Sequence, residues 1–265
     1  MAGQTAANWK EGFVVTAGHG RMHYLESGSG EPMVLIHTNG GSAYQFGKVI
    51  DLLAKNFRVI AWDMPGHGDA DPLGRHYSIE DYCDALAHFM DTLGIPAAHV
   101  SGTSCGGTIT ACFAKRFASK TLSAVIVETP LRTYDEWGAR WGHTEGNFGI
   151  PMQDAAEIKQ RVAQVDDAFV TRWNIDRNKA GAKLMMSVMW AMRNYDIQEA
   201  VSSITRPAMI LYGAKGPTIG MRDRLPKLAP KMPVTVMDNS GHFPMLDEPE
   251  RFSQVLTEFA KAAKG

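Results

Sequence analysis

Gly102-Thr103-Ser104-Cys105-Gly106 is the stretch whose reading decides the fold of this chain. It follows a strand-like run, Ala98-His99-Val100-Ser101, and leads into a helix-like run that begins Thr108-Ile109-Thr110-Ala111. A serine with glycine two residues to either side, at a strand-to-helix junction, is the pattern of a nucleophile elbow. The turn is so tight that side chains at the flanking positions would collide with neighbouring backbone, and it presents the serine at the edge of a sheet. Ser104 is therefore the expected nucleophile. An ordinary turn built of small residues would look much the same, so the reading needs support from the rest of the chain.

The alternation of elements supports it. Strand-like runs at 22–25, 33–36, 57–62, 98–101 and 122–127 are separated by glycine-rich turns and by helical runs near 43–55, 78–93 and after Ser104. Such βαβ alternation implies an α/β fold with a mainly parallel sheet and helices on both faces. Between 130 and 204 helical periodicity takes over, and Trp137, Trp141, Phe148, Trp173, Met185, Met186, Met189, Trp190 and Met192 concentrate there. This segment reads as an inserted helical cap (130–204) that divides the core into 1–129 and 205–265. Alternation resumes with strands at 208–212 and 234–237, a helix near 221–228 and a closing helix over 248–263.

Bulk properties narrow the function classes. At 265 residues the chain can bury one large core, and 27 Lys plus Arg against 28 Asp plus Glu, without long runs of one sign, argue against nucleic acid or an anionic membrane as partner. Residues 1–13 have neither a basic start nor an apolar core, and no window approaches the ~20 apolar residues of a membrane span. Cys83, Cys105 and Cys112 show no metal or disulfide spacing, which suits a reducing compartment, with the cytoplasm as the default location. The oligomeric state stays open, a homodimer being one option.

A serine hydroxyl is a weak nucleophile until a positioned base takes its proton. His242, in Asn239-Ser240-Gly241-His242-Phe243-Pro244, follows the last strand and would emerge at the same carboxyl edge of the sheet as Ser104, where open α/β sheets bind ligands. The other histidines lack that placement; His143, in the cap, reads as solvated or packing, with substrate contact as the alternative.

With Asp63-Met64-Pro65-Gly66-His67-Gly68, the Ser104 elbow and Gly241-His242 in this order, the chain resembles the α/β-hydrolase superfamily over nearly its whole length outside the cap. The resemblance implies an α/β-hydrolase fold with a mainly parallel eight-stranded sheet, and a triad that still needs its acid. In most of that family the acid lies a few residues past the glycine ending the penultimate strand. Here Leu211-Tyr212-Gly213-Ala214-Lys215-Gly216-Pro217 holds no carboxylate, and the next is Asp223. Some members place the acid at the end of the strand after the elbow helix, and this chain has Val125-Ile126-Val127-Glu128-Thr129-Pro130 there. A glutamate ending an apolar strand is costly to desolvate unless a group such as His242 partners it. Glu128 is the expected acid, with Asp223 or a purely structural Glu128 as alternatives; Asp238 is too close in sequence to His242 to orient it from behind.

The resemblance also implies oxyanion donors: the amide of Cys105 and, in Ile36-His37-Thr38-Asn39-Gly40-Gly41, that of Asn39. Thr38 stands where the family usually has glycine, so the second donor stays open. Asp63 and His67 read as turn formers, and the Cys105 thiol as a packing group.

Any helical lid must bury one face, which alone could account for the Trp and Met content of the cap. As a group, Trp190, Met189, Met186 and Trp137, with Phe243 beside the base, suggest an apolar roof suited to a bulky apolar or aromatic ester or lactone. Three features resemble the zearalenone lactonases of fungi: Glu128-Thr129-Pro130, His242-Phe243-Pro244, and a cap tryptophan in Val188-Met189-Trp190-Ala191-Met192. Those enzymes open a resorcylic macrolactone through Ser, His and Glu. The layout also resembles cofactor-independent dioxygenases of 3-hydroxy-4-quinolones, in which a histidine deprotonates the substrate; they commonly carry histidine after the elbow serine, where this chain has Cys105. A non-catalytic ligand-binding protein of the same fold is a third class, disfavoured by retention of serine, histidine and an acid. Haloalkane dehalogenases and epoxide hydrolases carry aspartate at the elbow and are disfavoured by Ser104. The expectation is a hydrolase acting through an acyl-enzyme on Ser104, with no metal and no cofactor.

Overall fold

The computed structural model describes residues 8–163 and 165–263, so 1–7 of the stretch read above for targeting signals lie outside the described residues. Eight strands, β1 (Lys10–Thr16), β2 (Gly20–Ser27), β3 (Glu31–Ile36), β4 (Phe57–Trp62), β5 (Ala98–Thr103), β6 (Thr121–Val127), β7 (Ala208–Gly213) and β8 (Val234–Met237), form one sheet. Its order is β1-β2-β4-β3-β5-β6-β7-β8. The pairings of β1 with β2 and of β2 with β4 are antiparallel, and all others are parallel.

The helices in chain order are α1 (Ile50–Leu53), α2 (Ile79–Thr92), α3 (Cys105–Arg116), α4 (Tyr134–Ala139), α5 (Trp141–Phe148) and α6 (Ala155–Lys159). They continue with α7 (Asp167–Asn194), α8 (Ile197–Ser202), α9 (Leu225–Leu228), α10 (Pro244–Asp247) and α11 (Pro249–Ala262). The central strands are almost wholly buried because both faces are covered. Period-two alternation sorts their side chains: Val34, Ile36, Ile60 and Trp62 pack with α2 and α3, whereas Met33, Leu35, Val59 and Ala61 pack with α1 and α11. The start of α2 is set by a capping box, in which the Ser78 hydroxyl accepts from the Asp81 amide and the Asp81 carboxylate accepts from the Ser78 amide.

Four local readings change. The expected runs do not include β1; it pairs along β2 as an edge and leaves Phe13 and Val15 exposed, so its apolar signal is weak. The helix expected over 43–55 is a 3-10 turn at Ala43–Phe46 followed by the single turn of α1, the chain turning at Gly47. The helix expected over 221–228 divides into a 3-10 stretch, Ile219–Arg224, and α9, whose first turn contains Pro226. The elbow helix starts three residues before Thr108, at Cys105, because Gly106 allows the backbone to lie against the Ile36 and His37 carbonyls, where a Cβ would clash.

The chain between β6 and β7 runs through α4 to α8, over the carboxyl edge of the parallel strands. Arg177, buried in α7, ties this region together by donating to the carbonyls of Asn147 (2.6 Å), Ile150 (2.8 Å) and Pro151 (3.1 Å). Asn39, in the loop after β3, anchors α7 from below through Nδ2 on the Met185 carbonyl, 2.8 Å. Among the described residues no helix is long and apolar enough to cross a membrane.

Candidate active site

Ser104 sits between β5 and α3 with φ 57° and ψ −115°, a left-handed conformation that non-glycine residues rarely adopt. Its amide donates to the Val127 carbonyl at the end of β6 (2.9 Å), and its carbonyl accepts from the amides of Gly107 and Thr108 and from the Thr129 hydroxyl. These bonds lock the elbow to the strand end that carries the acidic residue.

That residue is Glu128, the only other non-glycine at positive φ (47°) among the described residues. The twist turns its side chain inward along the sheet edge, where it is fully buried. Three donors surround the carboxylate. Oε1 accepts from the Gly213 amide (2.7 Å), and Oε2 accepts from the Thr218 hydroxyl (2.6 Å) and from Nδ1 of His242 (3.1 Å). A carboxylate can only accept, so Nδ1 of His242 carries the proton and Nε2 is free to act as a base. A Cβ at Gly216 would collide with this carboxylate, which accounts for the glycine at that position in the loop after β7. Asp223, the alternative acid, has a side chain that is 80% exposed and pairs with Arg222.

His242 is held by the Arg161 carbonyl, which accepts its amide (3.1 Å), and by Phe243, whose ring packs edge-on at 4.9 Å. Phe243 also meets Trp173 edge-on at 5.5 Å and is buried beneath the base instead of lining the cavity. The sequence does not single out Thr218, Thr129 or Arg161. None carries a local signature, because each acts through a contact between segments far apart in the chain.

Ser104, Thr218 and His242 open into a cavity of about 390 Å³ beneath α4, α5 and α7. Trp137, Phe148, Met189 and Met192 supply its apolar wall. Arg132, Arg140 and Arg161, with Gln153 and Gln160, make the rest markedly polar. Trp190 and Met186, expected in the roof, face elsewhere. They line a separate surface cavity of about 750 Å³ with Leu73 and Leu184, and Trp190 is 40% exposed against Trp141 at 4.4 Å. The helical period is the reason: Met186 and Trp190, four apart, share one face of α7, while Met185, Met189 and Met192 share the buried face.

Cys105 lies directly behind Ser104 and is wholly buried. Burial pushes its thiol up to about 12. The Asn39 loop is braced by His37, whose Nδ1 donates to the Thr38 carbonyl (2.7 Å) and whose Nε2 accepts from the Met64 amide (3.0 Å). Asp63, in the turn after β4, is consumed structurally: it accepts from His23 Nδ1 (2.7 Å) and from the amides of Ala43 (2.5 Å) and Asp69 (2.8 Å). His23, Asp63 and Asp69 bring potential metal-ligand atoms within 4.8 Å of one another, but those bonds already satisfy the Asp63 carboxylate.

The family model described as the alpha/beta hydrolase fold matches residues 31–161. Among curated proteins, (E)-2-((N-methylformamido)methylene)succinate hydrolase of Acinetobacter baylyi is 26% identical over 245 residues, covering 88% of this chain and 92% of that protein. The 2-hydroxy-6-oxo-2,4-heptadienoate hydrolase of Pseudomonas putida is 25% identical over 273 residues, covering 97% and 99%. Among solved structures, the enol-lactonase of Burkholderia xenovorans LB400 superposes with a TM-score of 0.79 at 20% identity, covering 94% of this chain and all of that one. The elbow, the strand order and these matches agree: the chain belongs to the α/β-hydrolase superfamily.

Proposed function

We propose that the protein is a serine hydrolase that cleaves a carboxylic ester or lactone through an acyl-enzyme on Ser104. The observation that carries this reading is the 3.1 Å bond from His242 Nδ1 to the buried Glu128 carboxylate, beside a serine on a left-handed elbow in the same cavity. In the first half-reaction Nε2 of His242 takes the Ser104 proton as Oγ attacks the carbonyl carbon, while Glu128 stabilises the imidazolium. The amides of Cys105 and Asn39 receive the developing oxyanion. Collapse breaks the bond to the leaving alkoxide, which takes the proton from His242. Water then repeats the cycle and frees the acid. The hydrolase relatives support the class of reaction, and their names span different bonds.

The test is turnover of 4-nitrophenyl acetate, with intact-mass detection of an acetylated enzyme after rapid quenching. Wild type should show the adduct, and Ser104→Ala should show none and lose on the order of 10⁴ or more in kcat. Turnover by Ser104→Ala at the wild-type rate would overturn the reading.

A further inference from the structure

The wall of the Ser104 cavity holds an excess of positive charge that the fold does not neutralise. Arg132, Arg140 and Arg161 all line it, and none pairs with a carboxylate of the described residues. Of the two acids near them, one is paired elsewhere and the other only partly offsets this charge. Glu136, one turn beyond Arg132, is held by Arg224 through two hydrogen bonds (2.8 and 2.5 Å). Glu157, which caps α6 through the Asp154 amide (2.8 Å), itself lines the cavity and attracts Arg161 without forming an ion pair, so the lining sets three guanidinium groups against one carboxylate.

Arg132 and Arg161 are part-buried, whereas Arg140 is exposed. Arg132 lies 5.0 Å above the Trp137 ring, and desolvation together with repulsion from Arg140 pulls it down from the usual arginine range. Arg161 is likewise pulled down by desolvation. Its only fixed polar partner among the described residues is Gln153 (2.6 Å), and its ring contact is Trp173 at 5.4 Å. Behind it Arg177, on three carbonyls, adds a further buried cation.

Holding unpaired guanidinium groups out of water is costly unless an anion repays the cost, and the planar fork of arginine matches a carboxylate in two-point fashion. Arg161 is also fixed relative to the base, since its carbonyl accepts the His242 amide.

We propose that the substrate is a carboxylate-bearing ester or lactone whose carboxylate is bound by Arg132 and Arg161, with Arg140 at the exposed rim, while its apolar part lies on Trp137, Met189 and Met192. This proposal rests on the Ser104 hydrolase reading and narrows the apolar substrate expected from the cap to an anionic one. The cavity, about 390 Å³, is at the small end of ligand sites and suits a metabolite-sized acid.

The experiment compares two 4-nitrophenyl esters of equal chain length, the neutral pentanoate and the anionic glutarate monoester. Wild type should favour the anionic ester in kcat/KM by roughly tenfold or more, the scale of a charged hydrogen bond. In Arg132→Met, and separately in Arg161→Met, that preference should collapse at least tenfold. The ratio is read within each variant, so partial misfolding, which affects both esters, cancels. Glutarate binding to Ser104→Ala, measured by calorimetry, gives a readout independent of turnover and should weaken in the same arginine variants. Turnover of both esters without preference, or a preference untouched by both substitutions, overturns the anion site and leaves the hydrolase reading standing. Binding of glutarate through these arginines without turnover of either ester upholds the anion site and overturns the hydrolase reading.

Discussion

Replacing Glu128 by glutamine changes one oxygen to an amide nitrogen, and the surrounding donors fix how the site must respond. The Gly213 amide donates to Oε1 and cannot turn round, so the glutamine oxygen has to remain there. The new NH₂ group then faces the Thr218 hydroxyl and Nδ1 of His242, which in the native protein donate at 2.6 and 3.1 Å. The threonine hydroxyl can rotate and accept. The imidazole can accept only by moving its proton to Nε2, the nitrogen that must take the Ser104 proton, and it loses the charge that stabilises the imidazolium. A fall in kcat on the order of 10³–10⁴ is expected, about 4–5 kcal/mol of transition-state stabilisation at 1.36 kcal/mol per tenfold. The fold should lose only about 1–2 kcal/mol, because each buried group keeps a partner. The assay is kcat on a 4-nitrophenyl ester with a urea unfolding curve for each protein, and Asp223→Asn as control. The exposed Asp223 variant should stay within about twofold of wild type. A folded Glu128→Gln enzyme within tenfold of wild type would refute the assignment.

The geometry carries two more expected outcomes. Trp137→Ala, which removes a buried wall of the Ser104 cavity, should raise KM for aromatic esters about tenfold or more and cost several kcal/mol of stability, whereas Trp190→Ala, on another cavity, should change KM by less than about twofold; the reverse order would return Trp190 to the roof. Burial lowers His37 and takes His67 down to about 3, so the unfolded chain binds protons first: this stability is whole above about pH 6.5 and is lost as pH falls from there toward 3. Urea midpoints should therefore drop between pH 6.5 and 5, before the depressed carboxyls of Asp81 and Glu136 contribute, and His67→Gln should flatten that slope; an unchanged slope would show the proton uptake lies elsewhere.

The local pattern of the chain was enough for the sheet and for placing Ser104, His242 and Glu128 at neighbouring strand ends, because each is written as a short run with its own punctuation: strands ended by glycine, and chemistry-bearing residues just beyond them. Even the pairing of Glu128 with His242 was readable, since Gly213 to Pro217 lacks a carboxylate and Glu128 ends an apolar strand. Tertiary structure alone decided the rest. The rotation of α7 sent Trp190 and Met186 to one cavity and Met189 to another, a phase that a cluster of large residues in sequence does not reveal. The left-handed backbone at Glu128, the Thr218 hydroxyl on its carboxylate, and the commitment of Glu136 to Arg224 are likewise relations between distant segments. So is the charge of the cavity: the chain as a whole carries a net charge of −1, yet three arginines without acidic partners among the described residues meet over Ser104. Composition sums charges along the chain, whereas a ligand responds to the few that folding gathers within reach of it in a space with little water to screen them.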